Sequence, residues 1–315
     1  MKALRFTKYG QPDVLHVDTL DIPVPAPGEV LVKIAAAAIN PSDVKNVAGL
    51  FKARLPRVPG RDFAGTVVSD GPDKGREVWG SGAGFGVIRD GAQAEYICLP
   101  ADWLSDKPAH LSMAEAASVG VPFVTAWGAL VRAGQIQRGE TVLITGSTGA
   151  VGRAAIQIAR WQGARVIGLG RRDRLSEADL YINTETTELQ PAVLEATDGK
   201  GVDMVLDIVG GPMFEPALAT LRQGGRQIAI TSTGGPRVSF DLVDFYHRQL
   251  ELRGVDTMKL SGPEIAQILD TLRAGFVTGA LTAPQLDLSA ITAGPEVYEA
   301  LRAGRATRKQ VISFG

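Results

Sequence analysis

The rhythm of apolar and polar positions changes twice along this 315-residue chain. From residue 1 to about 118 the apolar residues recur with period two, in short runs broken by Pro and Gly. Met1-Lys2-Ala3-Leu4-Arg5-Phe6 alternates as an amphipathic strand, and Glu29 to Ile34 follows the breaker cluster Pro23 to Gly28. Phe63 to Val68 and Gln93 to Leu99 are further runs of this kind. Nothing repeats at a fixed interval, so the pattern predicts a small antiparallel barrel rather than a solenoid. From about 120 to 257 the pattern alternates between strand and helix. Thr141 to Ile144, Arg165 to Gly170, Val202 to Asp207, Gly225 to Ile230 and Leu250 to Val255 read as buried parallel strands. Helices are predicted over Ala154 to Gln162 and Met213 to Leu221, and strands alternating with helices predict a doubly wound parallel sheet. The tail holds helices Pro263 to Arg273 and Gly294 to Ala303, then the strand Lys309 to Ile312. It is expected to return to the first domain, leaving an α/β unit inserted in a mostly β one, with the active site expected in a cleft between domains.

Between the strand Thr141–Ile144 and its helix lies Thr145-Gly146-Ser147-Thr148-Gly149-Ala150-Val151-Gly152. Strand, glycine turn, helix is the context in which glycines signal dinucleotide binding. Glycine lets the backbone turn sharply and lets a pyrophosphate approach, and the helix start offers unpaired N–H groups and a positive dipole end. The match to G-x-G-x-x-G is imperfect, because Ser147 stands at the first glycine. The cofactor class is read at the end of the next strand, where NAD sites carry Asp or Glu to hold the ribose hydroxyls. Here the tip is Gly170, followed by Arg171, Arg172 and Arg174. A missing carboxylate and nearby guanidinium groups suit a 2′-phosphate, which points to NADPH. A solvated basic loop is the alternative, and Asp173 is close enough to serve an NAD ribose.

Composition narrows the classes further. The formal net charge is −1, which gives no reason to expect a nucleic-acid partner. Cys98 is the single cysteine, so neither an intrachain disulfide nor a cysteine-built metal site can form. No apolar run approaches the roughly 20 residues that span a bilayer. Met1 to Phe6 reads as a strand rather than a signal peptide, and the cytoplasm is the expected compartment. His16, His110 and His247 are scattered, and neither a G-x-S-x-G elbow nor an H-E-x-x-H motif occurs.

Several stretches, taken in order, resemble the medium-chain dehydrogenase/reductase superfamily over essentially the whole chain. They are Asn40 to Lys45, Pro59 to Gly65, Ala114 to Ala117, Val124 to Trp127, the glycine turn, and Val205 to Gly211. The chain looks most like the zinc-free quinone oxidoreductase (zeta-crystallin-like) branch. The resemblance implies a Rossmann-type sheet, residues 120–257, inserted in a GroES-like, mostly antiparallel β catalytic domain of residues 1–119 and 258–315. Zinc alcohol dehydrogenases of the superfamily hold zinc with Cys, His and Cys or Asp beside a glutamate. The corresponding residues here are Asn40, Arg61, Val121 and Asp62, which cannot supply three N, S or O ligands. No metal is expected.

The resemblance also implies site residues. Lys45 and Asn40 are the catalytic candidates: Lys45 to hydrogen-bond a substrate carbonyl or relay a proton, Asn40 to contact the nicotinamide side or the substrate. A surface lysine and a turn-capping Asn are the bland readings, and the bland reading of Asp43 is a simple pair with Arg61 or Asp62. Thr125 is expected near the nicotinamide, Ser147, Thr148, Gly149, Ala150, Val151 and Gly152 at the pyrophosphate, and Arg171 and Arg172 at the 2′-phosphate. Val209 and Gly210 are expected at a ribose, and Thr231 and Ser232 near the carboxamide. Phe51, Trp79, Phe123 and Trp127 are candidate walls of a substrate pocket. The segment from Arg172 to Asn183 is short for the family, so its helix is expected to shrink to about Arg174 to Asp179, leaving open whether Tyr181 reaches the ribose phosphate. At the C-terminal turn the family's glycine and lysine become Arg308 and Lys309. The implied activity is NADPH-dependent reduction of a quinone or an α,β-unsaturated carbonyl, by a homodimer joined through the edge strands of its nucleotide domains. The alternatives are an NADPH-binding regulatory or structural protein with little turnover, and an alcohol dehydrogenase-like enzyme.

Overall fold

The structure, a computed structural model, describes residues 1–171 and 176–314. It divides into two units, Met1–Val124 with Met258–Gly315, and Thr125–Thr257.

The first unit opens with the strands β1 (Lys2–Arg5) and β2 (His16–Thr19), paired antiparallel. Strand β3 (Glu29–Ile39) is eleven residues long. It outruns the alternation seen in the sequence because Ala35 to Ala38 carry no polar signal. Helix α1 (Pro41–Val47) follows at once. Asn40 caps it, Pro41 fills the first turn where an N–H would be unpaired anyway, and the Asp43 carboxylate accepts the Asn40 N–H at 2.8 Å. Then come β4 (Asp62–Val67), β5 (Glu77–Gly80), β6 (Tyr96–Pro100) and the short β7 (Ser105–Asp106). Helix α2 (Met113–Trp127) continues as a π-helical turn through Ala133. This corrects the reading that no apolar stretch is long enough for a bilayer: Met113–Ala133 is a continuous 21-residue helix of sufficient apolarity. Of its most apolar stretch 67% is buried inside the protein, as in a core helix.

The second unit is built from β8 (Thr141–Ile144), α3 (Ala150–Trp161), β9 (Arg165–Gly170), β10 (Leu180–Asn183) and α4 (Leu189–Ala196). It continues with β11 (Val202–Asp207), α5 (Phe214–Ala219), β12 (Leu221–Ala229), α6 (Leu242–His247) and β13 (Glu251–Gly254). Its six strands are all parallel, in the order β10-β9-β8-β11-β12-β13. This is the doubly wound order whose switch point lies between the first and fourth strands, here β8 and β11. Helix α3 turns Ala154, Ala155, Ile158 and Ala159 inward and Arg153 and Arg160 outward. The helix expected over 174–179 is not formed in its described part: residues 176–179 are irregular. Asp179 instead fixes them to the sheet, donating its N–H to Val166 O and accepting the Val166 N–H on its carboxylate at 2.7 Å. Arg174 lies outside the described residues.

The chain returns to the first unit with α7 (Gly262–Val277), β14 (Leu286–Ala290), α8 (Gly294–Arg302) and β15 (Lys309–Ser313). The sheet order is β14-β15-β3-β4-β5-β7, with β6 also pairing β3, and every pair but β14–β15 is antiparallel. The last strand therefore lies inside the sheet. Where β3 bulges between Ile34 and Ala36, the facing Gly65 of β4 leaves room for nothing larger. A Cβ there would lie 2.2 Å from Lys33 O and 2.9 Å from Ile34 Cα. Backbone cannot step aside as a side-chain tip can, so Gly65→Ala is expected to lower stability by about 1–3 kcal/mol, measured in urea denaturation.

Candidate functional site

Each unit carries a polar centre. In the second unit it lies at the switch point. Thr145, just past β8, donates its hydroxyl to Asp207 Oδ1 at 2.9 Å and accepts the Ile208 N–H at 2.8 Å. The same carboxylate oxygen accepts the N–H groups of Val209 (3.0 Å) and Gly210 (2.8 Å). A fully buried carboxylate thus fixes the turns after β8 and β11 against each other. Gly146 stands in the left-handed region at φ +59°, where a Cβ would meet Val209 Cγ2 at 3.2 Å. Gly210, at φ +64°, packs on Thr231 O and Ser232, and the Thr233 N–H donates to Val209 O at 2.7 Å. The glycine turn, Val209, Gly210, Thr231 and Ser232 therefore lie together at the carboxyl ends of β8, β11 and β12.

The turn runs close against the start of α3. A Cβ on Gly152 would lie 2.5 Å from Gly146 O and 2.6 Å from Ser147 Cα, so only glycine lets α3 begin this close to the turn. Gly149 is the N-cap with no side-chain cap, and Gly149 and Ala150 are exposed. The first N–H groups of α3 are thus free of a capping side chain. Ser147, at the position of a missing glycine, is buried, and both its N–H and its hydroxyl donate to Leu169 O at 3.0 Å. It ties the turn to β9. Thr148 and Val151 are half-buried. Arg171 is exposed beyond the end of β9, and Arg172 lies outside the described residues. Thr125 sits apart from the contacts of these turns, its hydroxyl 3.3 Å from that of Thr257.

The first unit gathers four buried charges around Asn40. Asp62 accepts the Asn40 side-chain amide on Oδ2 at 2.8 Å, and on Oδ1 the Ser81 hydroxyl at 2.6 Å and the Val121 N–H at 2.9 Å. Lys309 donates to Asn40 Oδ1 and to Ile39 O, with its Nζ 3.9 Å from Asp62 Oδ2. Arg61 donates to Ser42 and pairs with Asp43 at 3.4 Å. The pairing of β15 with β3, which sets Gln310 opposite Ile39, is what brings Lys309 to Asn40. Asp43, Arg61, Asp62 and Lys309 are all buried, and their formal charges sum to zero. Burial raises the Asp43 pKa, opposed by Arg61 and reinforced by Asp62. Burial lowers the Lys309 pKa, opposed by Asp62 and Asp43.

Residues 26–109 match the alcohol dehydrogenase GroES-like domain, and residues 150–274 match the zinc-binding dehydrogenase domain. A zinc-type alcohol dehydrogenase-like protein of Schizosaccharomyces pombe is 39% identical over 287 residues, covering 89% of this chain and 86% of that one. The chain belongs to the medium-chain dehydrogenase/reductase superfamily. Within it the similarity extends to the quinone oxidoreductase of Rattus norvegicus, 30% identical over 295 residues, covering 89% and 87% of the two chains. The crystal structure of an alcohol dehydrogenase superfamily protein from Novosphingobium aromaticivorans superposes with a TM-score of 0.89 at 32% identity, covering 100% of both chains. The fold is that of the superfamily's oxidoreductases, and the chain is quinone oxidoreductase-like.

The superfamily's zinc positions, Asn40, Arg61, Val121 and Asp62, do meet in space here. Their donor set does not fit zinc. Asp62 is occupied by three hydrogen bonds, Val121 offers only its N–H, and two cations, Arg61 and Lys309, stand where a dication would have to enter. No group of three or more His, Cys, Asp or Glu side chains is placed to hold a metal among the described residues.

The remaining candidates separate. Lys45 is exposed on α1, and the ammonium that meets Asn40 belongs to Lys309, noted in the sequence at the C-terminal turn but not as a site residue. Trp79 and Phe123 lie in the core. They are 2% and 1% exposed and pack on Phe276, with ring centroids 5.8 and 5.2 Å away. Trp127 packs on Trp161, the last residue of α3 and so roughly 16 Å of helix from the glycine turn. Phe51 is half-buried in the loop after α1.

Removing the Lys309 ammonium leaves Asp62 three hydrogen bonds but a weaker counter-charge. Lys309→Met is expected to cost about 3 kcal/mol at neutral pH, the low end for a buried ion stripped of its partner. The pH dependence has a definite sign. Between the lowered Lys309 pKa and the ordinary 10.5 the unfolded chain holds a proton that the folded chain has released. Stability rises with pH across that window, and urea titrations should show the rise in wild type and not in Lys309→Met.

Proposed function

We propose that the chain is an NADPH-dependent, zinc-independent reductase of quinones or α,β-unsaturated carbonyls, acting in the cytoplasm as a homodimer. The observation that carries this reading is the charge-neutral cluster of Asp43, Arg61, Asp62 and Lys309 at the superfamily's metal position. With no donor set for a Lewis acid, the means of turning an alcohol into an alkoxide is missing. A conjugated acceptor is already electrophilic and needs only its developing oxyanion stabilised. Reduced nicotinamide, when bound, supplies hydride to such an acceptor.

The chain's own residues then hold and orient. The backbone from Ser147 to Gly152 and the first N–H groups of α3 take the pyrophosphate. Val209 and Gly210 face a ribose, Thr231 and Ser232 the carboxamide, and Thr125 the nicotinamide. The Arg171 and Arg172 guanidinium groups take the 2′-phosphate, in place of the carboxylate that an NAD site carries. Lys45, exposed on α1, hydrogen-bonds the substrate carbonyl and delivers the proton. Asn40, with one amide hydrogen and one lone pair left after its bonds to Asp62 and Lys309, orients the substrate. For the dimer, Leu242, Val243 and Tyr246 of α6 and Leu252 of the edge strand β13 are exposed.

Dissociation constants read from tryptophan quenching test the cofactor. NADPH is expected to bind about tenfold tighter than NADH, and Arg171→Ala/Arg172→Ala to remove that gap of ~1.4 kcal/mol. Equal wild-type affinities would discard the 2′-phosphate site. Turnover with 1,2-naphthoquinone or a simple enone should survive a chelator unchanged. Tight NADPH binding with no turnover on either would instead make the chain a cofactor-binding protein. Lys45→Met should lower kcat by about 10²-fold, the lower range for a lost general acid, and leave the melting temperature unmoved because the residue is exposed.

A further inference from the structure

The tip of β9 decides which ribose a dinucleotide site accepts, because an acidic side chain rooted there holds the 2′-hydroxyl in NAD enzymes. In this chain a side chain at the tip would run into that of Tyr181. A Cβ on Gly170 would lie 2.2 Å from the Tyr181 hydroxyl oxygen, 3.1 Å from Cζ and 3.3 Å from Cε2. The backbone of Gly170 is in an ordinary extended strand, so the glycine is not there for a left-handed turn. Tyr181 stands opposite Gly168 in the parallel pairing of β10 with β9, and its side chain runs forward from there to the tip.

The surroundings hold this arrangement. The Gly170 carbonyl accepts both the N–H of Thr184 at 2.9 Å and its hydroxyl at 3.2 Å, so the strand end cannot drift away from β10. On the same face of β9, a Cβ at Gly168 would meet Ser147 Oγ at 2.8 Å and the Ala178 Cβ at 3.0 Å. The ring therefore lies on the side of the strand where the glycine turn sits. Tyrosine has only two side-chain torsions, and its ring is half-buried here, so it yields less readily than a lysine tip would.

We propose that Tyr181 is a specificity-determining residue: its phenol fills the space from which a ribose-binding carboxylate would grow. Cofactor preference is then set by the pair Gly170–Tyr181, not by the arginines alone. An acidic residue can be installed at 170 only when Tyr181 is cut back. This rests on the NADPH reading above for its direction, while the steric coupling itself does not.

The test uses wild type, Gly170→Asp, Tyr181→Ala and the double variant. Each is read two ways: the melting temperature without cofactor, and dissociation constants for NADPH and NADH by tryptophan quenching. Gly170→Asp is expected to lower the melting temperature when Tyr181 is intact, and much less when Tyr181→Ala is already in place. It should weaken both cofactors alone, whereas the double variant should bind NADH about tenfold tighter than Gly170→Asp does. If Gly170→Asp fails to fold and the double variant folds, the proposal is upheld. If neither folds, or if Gly170→Asp alone melts as wild type and gains NADH affinity as fully as the double, Tyr181 does not exclude the side chain and the proposal falls. Equal wild-type affinities for the two cofactors would retire the NADPH reading, and the melting-temperature cycle would still decide the coupling.

Discussion

The first unit depends on one carboxylate. Asp62 has no exposed surface, and its two oxygens receive the Asn40 amide from the start of α1, the Ser81 hydroxyl from the end of β5 and the Val121 N–H from within α2. Burying a carboxylate is costly unless donors meet it, and here both oxygens are met and a counter-ion stands nearby. Lys309 of β15 supplies the charge and shares Asn40 with it. Even the missing side chain of Gly120 belongs to this set, since a Cβ there would lie 2.2 Å from Asp62 Oδ1. Four segments of the unit are thus fixed by reference to one acid group on β4. The constraint is electrostatic before it is steric: each hydrogen-bond donor is turned to Asp62 because the charge must be met.

The second unit solves a related problem with the same chemistry and a different outcome. Asp207 is also fully buried at a strand end, but it is met by a hydroxyl and two backbone N–H groups, with no ion pair among the described residues. Its partners lie in the turns of adjacent strands. The result is a set of adjoining turns tied through one carboxylate oxygen. One acid therefore builds a closed, charge-balanced knot, and the other shapes an open edge.

How much of this the chain discloses depends on how local each feature is. The glycine turn was legible because strand, turn and helix occupy 22 consecutive residues, 141–162, and each carries its own signal. The parallel strands were legible from unbroken apolar runs such as Val205-Leu206. The short strand β10 was not, because Leu180 to Asn183 mixes polar and apolar residues and is held by Asp179 and Thr184 rather than by its own pattern. The substitutions at the zinc positions were plain from residue type. That Lys309 joins them was not, since it meets Asn40 across 269 positions of sequence. The burial of Trp79 and Phe123 was not legible for a general reason: aromatic rings favour both cores and ligand walls, and composition does not tell which side of a strand or helix faces in.

The contact between Thr125 and Thr257 bears on how such a chain assembles. These are the first and last residues of the second unit, and their hydroxyls are 3.3 Å apart. Once that unit has folded, its 133 residues span no more distance than a tight turn would. The β15 strand must find β3 from 270 positions away, as counted between Lys309 and Ile39. A folded insert with touching ends shortens that search by nearly half its contour. The order of synthesis favours this, because the insert emerges whole before the last strand of the first unit does. The inserted unit thus acts on its host's folding as a staple, lowering the entropy cost of closing a sheet in which an interior strand is made last.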